Sequence, residues 1–211
     1  MRTTLAHSGF CTIFAPQGAS FRGGDQEWYR DDWQRRAGCG PTTAALCLAY
    51  LGRTAPSLQA LSPKLPLTVE HFLTYMEEVW HFVTPTHRGL DSLEGFGRGC
   101  QSFAQSRGTV LSWSALAVPG LEEESRPSQA RCAAFLRAAL RHDTPVGFLN
   151  FSNGAVEELD SWHWVPLIWL EETGKTLTCG ILDAGREYPI DLSLWLRTTR
   201  RGGGFVTLFS P

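Results

Sequence analysis

The spacing of apolar side chains changes along the 211-residue chain, from helical periods in the first two-thirds to nearly continuous apolar runs in the last third. Residues 68–82 place apolar side chains three and four positions apart, which predicts an amphipathic helix. Residues 129–142 show the same spacing, and Ser128 precedes them as an N-cap residue. A weaker helix is predicted over 91–106, where glycines interrupt the pattern.

A more apolar helix is predicted to begin near Cys39. Pro41 suits a first helical turn, since its missing N–H would have no partner there, and Gly52 is the expected end of the helix. The segment is apolar on nearly every side, so we expect the helix to be buried. Before it, residues 4–15 predict a first strand and residues 16–37 an irregular segment.

Turn residues separate short apolar runs in the last third, which predicts consecutive strands joined by short links. Helices followed by such strands indicate an α+β fold with an antiparallel sheet, rather than a doubly wound parallel one. We expect one domain, residues 1–211, with a helical part at about 16–142 and a β-sheet part at about 143–211. The predicted strands are 145–151, 162–170, 176–183, 186–190 and 203–209, with a short helix at 191–198.

Composition and charge exclude several classes of function. The net charge is −2, so nothing favours binding to nucleic acid or to an anionic membrane. No segment reaches the ~18 apolar residues that a membrane helix needs, and no signal peptide is visible, so we expect a cytoplasmic protein. The six cysteines form no C-x-x-C pair, and their irregular spacing argues against a disulfide framework or a zinc site. We therefore expect no metal and no cofactor.

One cysteine is placed for chemistry. Cys39 lies between two glycines, in Ala-Gly-Cys-Gly-Pro-Thr-Thr, at the expected start of the buried helix. The flanking glycines are expected to let the backbone turn sharply and to leave the sulfur reachable. Unpaired N–H groups and the helix dipole favour a thiolate at such a position, and the Cys39 N–H could hold a developing oxyanion. We predict that Cys39 is a nucleophile.

Hairpin geometry selects its partner residues. A three-residue loop at 172–174, with Gly174 in the left-handed conformation, would centre the strand pairing on Thr173. His163 lies ten residues before that centre and Asp183 ten after it, which places them opposite each other on one sheet face. A shift of one residue would turn Asp183 to the other face. The inner side of that face is predicted to contain Val165, Leu167, Trp169, Cys179 and Ile181.

A side-chain amide near Cys39 would complete an oxyanion site. Gln34 precedes Cys39 by five residues and Gln26 by thirteen. Spacing favours Gln34, but Gln26 would take the position if residues 30–38 begin with additional helix.

The order Gln … Gly-Cys-Gly-Pro-Thr … His-Trp-Val … Leu-Asp-Ala-Gly resembles the papain-like superfamily, most closely the C39-type bacterial peptidases and their relatives. The resemblance implies an oxyanion glutamine about six residues before the cysteine, followed by a histidine and an aspartate on neighbouring strands. That pattern implies Gln34, Cys39, His163 and Asp183. The segment Gly-Gly-Asp-Gln-Glu-Trp also looks like a signature of such proteins and implies Gln26 instead.

The expected function is therefore a thiol-dependent peptidase or amidase that acts on a peptide or amide through a Cys39–His163–Asp183 triad. Cys39 would attack the carbonyl, His163 would act as the base, and Asp183 would orient His163. Two alternatives stay open at this point. One is acyl transfer to an amine or thiol instead of water, and the other is a peptide-binding module of the same fold without turnover.

Overall fold

The structure, a computed structural model, describes the backbone of residues 1–211 and every side chain except that of residue 17. It confirms the α+β class. The strands are β1 (Arg2–Thr4), β2 (Thr12–Phe14), β3 (Ser20–Arg22), β4 (Ser112–Val118), β5 (Val146–Asn150), β6 (His163–Thr173), β7 (Thr176–Asp183), β8 (Arg186–Asp191) and β9 (Gly203–Phe209). The α-helices are α1 (Asp32–Ala37), α2 (Cys39–Thr54), α3 (Val69–Trp80), α4 (Leu93–Ser106), α5 (Gln129–Arg141) and α6 (Leu192–Thr198).

The main sheet is antiparallel and has the strand order β4-β9-β5-β6-β7-β8, with β1 paired to the distal half of β6. Strands β2 and β3 form a separate hairpin. The central strands β5 and β6 are buried along most of their length, as their continuous apolar sequences predict. This buried centre fixes the position of the amino-terminal end of β6, where His163 lies.

Helix α2 is the central helix, and it packs against β6. Every residue from Gly40 to Gly52 is buried, which confirms the prediction from its apolar composition. The helix does not end at Gly52, as predicted, but continues to Thr54. Gly52 is needed for space instead, because a Cβ there would lie 2.4 Å from the backbone nitrogen of Ser62.

The predicted amphipathic helices are present with nearly the expected bounds. Side-chain oxygens of Thr68, Ser92 and Ser128 accept hydrogen bonds from backbone N–H groups in the first turns of α3, α4 and α5. The glycines in α4 allow close packing: a Cβ on Gly97 would meet the Trp113 ring at 2.2 Å. They therefore do not break the helix.

Three regions differ from the sequence predictions. The predicted strand at 4–15 is replaced by β1, a 3₁₀ turn at Ser8–Cys11 and β2. The segment 16–37, predicted as irregular, contains β3 and α1. Strand β4 was not predicted, and it joins the main sheet from within the part expected to be helical. The division of the domain at about residue 142 stays a prediction. Strands β1 and β4 precede residue 142 in the chain but belong to the main sheet.

Among the described residues, no helix is both long enough and apolar enough to cross a bilayer.

Candidate active site

Cys39 is the first residue of α2. The preceding Gly38 has φ −83° and ψ −4°, so the chain passes from α1 into α2 without the unusual backbone angles that the sequence suggested. Glycine is required there for space, because a Cβ on Gly38 would lie 2.4 Å from the Gln34 carbonyl oxygen and 2.6 Å from the Tyr29 ring. A Cβ on Gly40 would lie 2.7 Å from the Leu90 side chain. The flanking glycines thus fit the helix start closely between its neighbours.

Exposure separates Cys39 from the other cysteines. Cys39 is partly exposed, whereas the other five are buried free thiols. Burial raises the pKa of the Cys132 thiol to about 11 and that of Cys11 to about 12. It raises the pKa values of Cys47, Cys100 and Cys179 as well. Those five thiols are therefore protonated and shielded near neutral pH.

The structure brings His163 and Asp183 together, as the sequence predicted. His163 Nε2 lies 2.9 Å from Asp183 Oδ1. Asp183 Oδ1 also accepts the Ala184 N–H at 3.0 Å, and Oδ2 accepts the Tyr188 hydroxyl at 3.1 Å. Ala184 and Gly185 have φ values of +47° and +71°, the pattern of a tight hairpin turn. This turn between β7 and β8 holds the Asp183 carboxylate at the edge of the site.

The pairing predicted for β6 and β7 is wrong in detail. Thr173 is not the centre of a three-residue loop; it pairs with Thr176 across a two-residue turn. The register then shifts by one residue between Leu167 and Trp169, so that Leu167 pairs with Ile181. This shift is a β-bulge, which places one additional residue in β6.

The bulge places Asp183 and His163 on the same sheet face, as the prediction required. Continued from the Leu167 pair, the register sets Asp183 opposite Val165, which puts Asp183 diagonally across from His163 on the same face. The predicted direct opposition is therefore wrong, although the hydrogen bond is present. Trp169 lies on the other face from Cys179 and Ile181, contrary to the prediction, because it pairs with Gly180 beyond the bulge.

Electrostatics couple the three predicted triad residues. Burial lowers the pKa of His163, but hydrogen bonds to the side chains of Asp183 and Cys39, and the negative charges of both, outweigh it and raise that pKa to about 10. Burial raises the pKa of Asp183, but the His163 hydrogen bond and charge, with the Tyr188 and Ala184 donors, hold it below its usual range. Since Asp183 engages Nε2, Nδ1 is the ring nitrogen that can face the sulfur. A pKa of about 10 keeps the proton on His163 at neutral pH, which puts a positive charge beside the Cys39 side chain.

Gln26, and not Gln34, lies in the site. Gln26 lines a cavity of about 20 Å³ together with Cys39, His163 and Asp183. The Gln34 side chain lies outside this cavity, because Asp31 caps α1 and makes residues 32–37 helical. The alternative that depended on additional helix before Cys39 is thus the one that the structure favours.

Gln26 also binds a backbone carbonyl close to the start of α2. Its Nε2 donates to the Arg35 carbonyl at 2.7 Å. Arg35 precedes Cys39 by four residues, so a continuous helix would use that carbonyl to accept the Cys39 N–H. As the first residue of α2, Cys39 has an N–H without a carbonyl partner inside that helix. The Cys39 N–H and the second N–H of the Gln26 amide are therefore two candidate donors beside the cavity that both residues line.

No protein-family model and no curated protein sequence matches this chain. The geometry of the site is therefore the basis for its functional assignment.

Asp160 is a site residue that sequence reasoning missed. One ligand atom each from Asp160, His163 and Asp183 lies within 4.8 Å of the others. Asn150, buried and paired with His163 across β5 and β6, fixes this loop by donating to the Asp160 carbonyl at 2.6 Å. An asparagine near the end of the predicted strand 145–151 was the signal available in the sequence. A divalent cation could occupy the group only by replacing the proton that joins His163 to Asp183.

Proposed function

We propose that this protein is a papain-like thiol hydrolase, a peptidase or amidase, with Cys39 as nucleophile. Three features support the proposal together: a partly exposed cysteine at the start of a buried helix, a protonated histidine beside it, and a carboxylate that fixes the histidine. The observation that carries most weight is the His163–Asp183 hydrogen bond of 2.9 Å, since it orients the ring of a histidine that lines the same cavity as Cys39.

In the proposed reaction, the Cys39 thiolate attacks the carbonyl carbon of a peptide or amide bond. The Cys39 N–H and the Gln26 amide hold the resulting oxyanion. The His163 imidazolium donates its proton to the leaving amine, and a thioester to Cys39 remains. Neutral His163 then takes a proton from water, the hydroxide attacks the thioester, and the carboxylic acid leaves as the Cys39 thiolate and the imidazolium are restored.

The raised pKa of His163 changes the expected role of that residue. The sequence predicts a general base that deprotonates Cys39. With an imidazolium present at neutral pH, His163 first acts as the acid that protonates the leaving amine. It acts as the base only in the second half of the cycle. We place this chemistry in the reducing cytoplasm, where a reactive thiol stays free.

Selective alkylation tests the nucleophile without a known substrate. The native protein is treated with limiting iodoacetamide at pH 7, and each cysteine is quantified by peptide mass spectrometry. A thiol with a pKa of about 11, such as Cys132, has a thiolate fraction of only ~10⁻⁴ at pH 7. We expect Cys39 to react at least ~100-fold faster than the buried cysteines, and His163→Gln to slow it. Uniform labelling of the six thiols would contradict the proposal.

Turnover separates the proposal from its alternatives. Peptide and amide libraries are assayed with a reducing agent and EDTA present, with Cys39→Ser as the inactive control. Hydrolysis that persists in EDTA supports the thiol mechanism. Products that appear only when an amine or thiol acceptor is added would indicate acyl transfer, and binding without turnover would indicate a peptide-binding module.

A further inference from the structure

A second cavity opens on the other flank of Cys39. It has a volume of about 240 Å³ and includes Cys39 in its wall, but not His163 or Gln26. Its remaining walls come from α1, from the loop before α4, from Leu149 of β5 and from Trp162, which directly precedes β6. We call this cavity the arginine groove, after Arg36 and Arg88, which line it. The volume is below the ~300–1,000 Å³ of a complete small-molecule site, so it fits one substrate residue.

The charges around the arginine groove are positive. Its lining contains Arg36, Arg88 and His87, and no aspartate or glutamate among the described residues. Arg36 is exposed, and its Nε donates to the Asp32 backbone carbonyl, so its two terminal nitrogens take no part in that bond. Arg88 pairs with Asp91 at 3.2 Å, but its side chain is 67% exposed, and such exposed pairs add little stability. Both guanidinium groups can therefore bind a further carboxylate.

Two exposed indoles form apolar walls of the groove. Trp33 is 40% exposed and Trp162 is 46% exposed. Trp33 and Arg36 are three residues apart on α1, so they present one face to the groove. Trp162 has φ +57°, which is unfavourable for a side chain of this size. It is held by an edge contact with Phe151 at 4.9 Å, with the Arg201 guanidinium 5.8 Å from its ring centre.

The opposite flank of the site has the reverse charge. Asp160 and Asp183 lie beside His163 there, and the negative charges of Asp183, Asp160 and Glu158 add to burial in raising the pKa of Tyr188. An anionic substrate group would be repelled on that flank and attracted in the arginine groove. The difference between the two flanks therefore gives a substrate a defined direction across Cys39.

We propose that the arginine groove binds a carboxylate of the substrate residue next to the scissile bond, with the apolar part of that residue between Trp33 and Trp162. This specificity rests on the proposed function of Cys39 as the nucleophile. The carboxylate belongs either to an acidic side chain or to the carboxyl terminus of a short peptide, and both chemistries satisfy the guanidinium groups.

Two alkylating reagents that differ in charge measure the electrostatic potential at Cys39 without a substrate. Iodoacetate carries a carboxylate and iodoacetamide is its neutral analogue, so the ratio of their rates at Cys39 reports the charge around the sulfur. We expect the ratio at low salt to fall about threefold in Arg36→Ala and in Arg88→Ala, and about tenfold in Arg36→Glu. Arg141→Ala is the matched control, since Arg141 is exposed at the end of α5 and lines neither of the cavities next to Cys39. Its ratio should equal that of the wild type.

The two proposals fail in different ways. If iodoacetamide labels Cys39 no faster than the buried thiols, the proposed function fails. If Cys39 is selectively labelled but the arginine variants leave the rate ratio unchanged, the assignment of the groove is overturned. Where a peptide substrate is found, kcat/KM should favour Glu over Gln, or a free carboxyl terminus over its amide, about tenfold next to the cleaved bond. These two comparisons distinguish the sources of the carboxylate, and equal values in both would also overturn the assignment.

Discussion

The pKa of His163 depends on one neighbouring carboxylate, and Asp183→Asn removes its charge while keeping its shape. A hydrogen bond to a charged group contributes ~1.5–3 kcal/mol, and one pKa unit corresponds to ~1.4 kcal/mol. We therefore expect the pKa of His163 to fall by about one to two units from its value of about 10. The sign follows from charge: Asp183 stabilises the imidazolium, so without it the ring loses its proton at lower pH.

Nitrogen-15 NMR of histidine-labelled protein measures this titration directly and needs no substrate. His163→Gln assigns the resonance, and Tyr188→Phe is the matched control, since it removes one donor to Asp183 Oδ2 and keeps the carboxylate. Tyr188→Phe should change the pKa of His163 by much less than Asp183→Asn does. In activity assays, the alkaline limb of the pH–rate profile of Asp183→Asn should lie about one to two pH units below that of the wild type. A His163 ring that titrates near pH 6.5 in the wild type, or that is unaffected by Asp183→Asn, would refute the claim that Asp183 raises the pKa of His163.

Two further substitutions test the site and its support. Gln26→Ala should lower kcat by ~10²-fold or more, because an oxyanion donor is lost. The control Gln34→Ala should leave kcat within about twofold of the wild type. Equal losses in the two variants would contradict the assignment of Gln26. Ala184→Gly should raise the free energy of unfolding by ~1 kcal/mol in urea titrations, because Ala184 has φ +47°, a conformation that glycine adopts more readily. A loss of stability would show that the turn is not strained.

Strongly periodic segments were predictable from the sequence because two signals agree in them. In α3 and α5, apolar spacing coincides with an N-cap residue, Thr68 or Ser128, that accepts a hydrogen bond in the structure. The strands β5 and β9 were likewise predicted, as their apolar runs are bounded by turn residues. These elements form the frame that carries the site.

Strand β4 shows where such signals fail. Its sequence is Ser-Trp-Ser-Ala-Leu-Ala-Val, and much of it is only partly buried at the sheet edge. Serine and alanine favour strands weakly, so pairing with β9 determines this strand, and that pairing is not visible locally. Helix α1 is different, since Asp31 as N-cap, Asp32 in the first turn and arginines in the last turn were readable signals.

The candidate triad was predictable because sheet faces depend on parity and not on exact register. The turn between β6 and β7 was placed incorrectly, and without the bulge near Leu167 that error would have turned Asp183 away from His163. The bulge adds one residue and returns both side chains to one face, two positions off direct opposition. A sequence can indicate which residues are able to share a face, but a bulge depends on packing across the whole sheet. A change that removed the bulge, and left the turn intact, would therefore separate His163 from Asp183 although neither residue was altered.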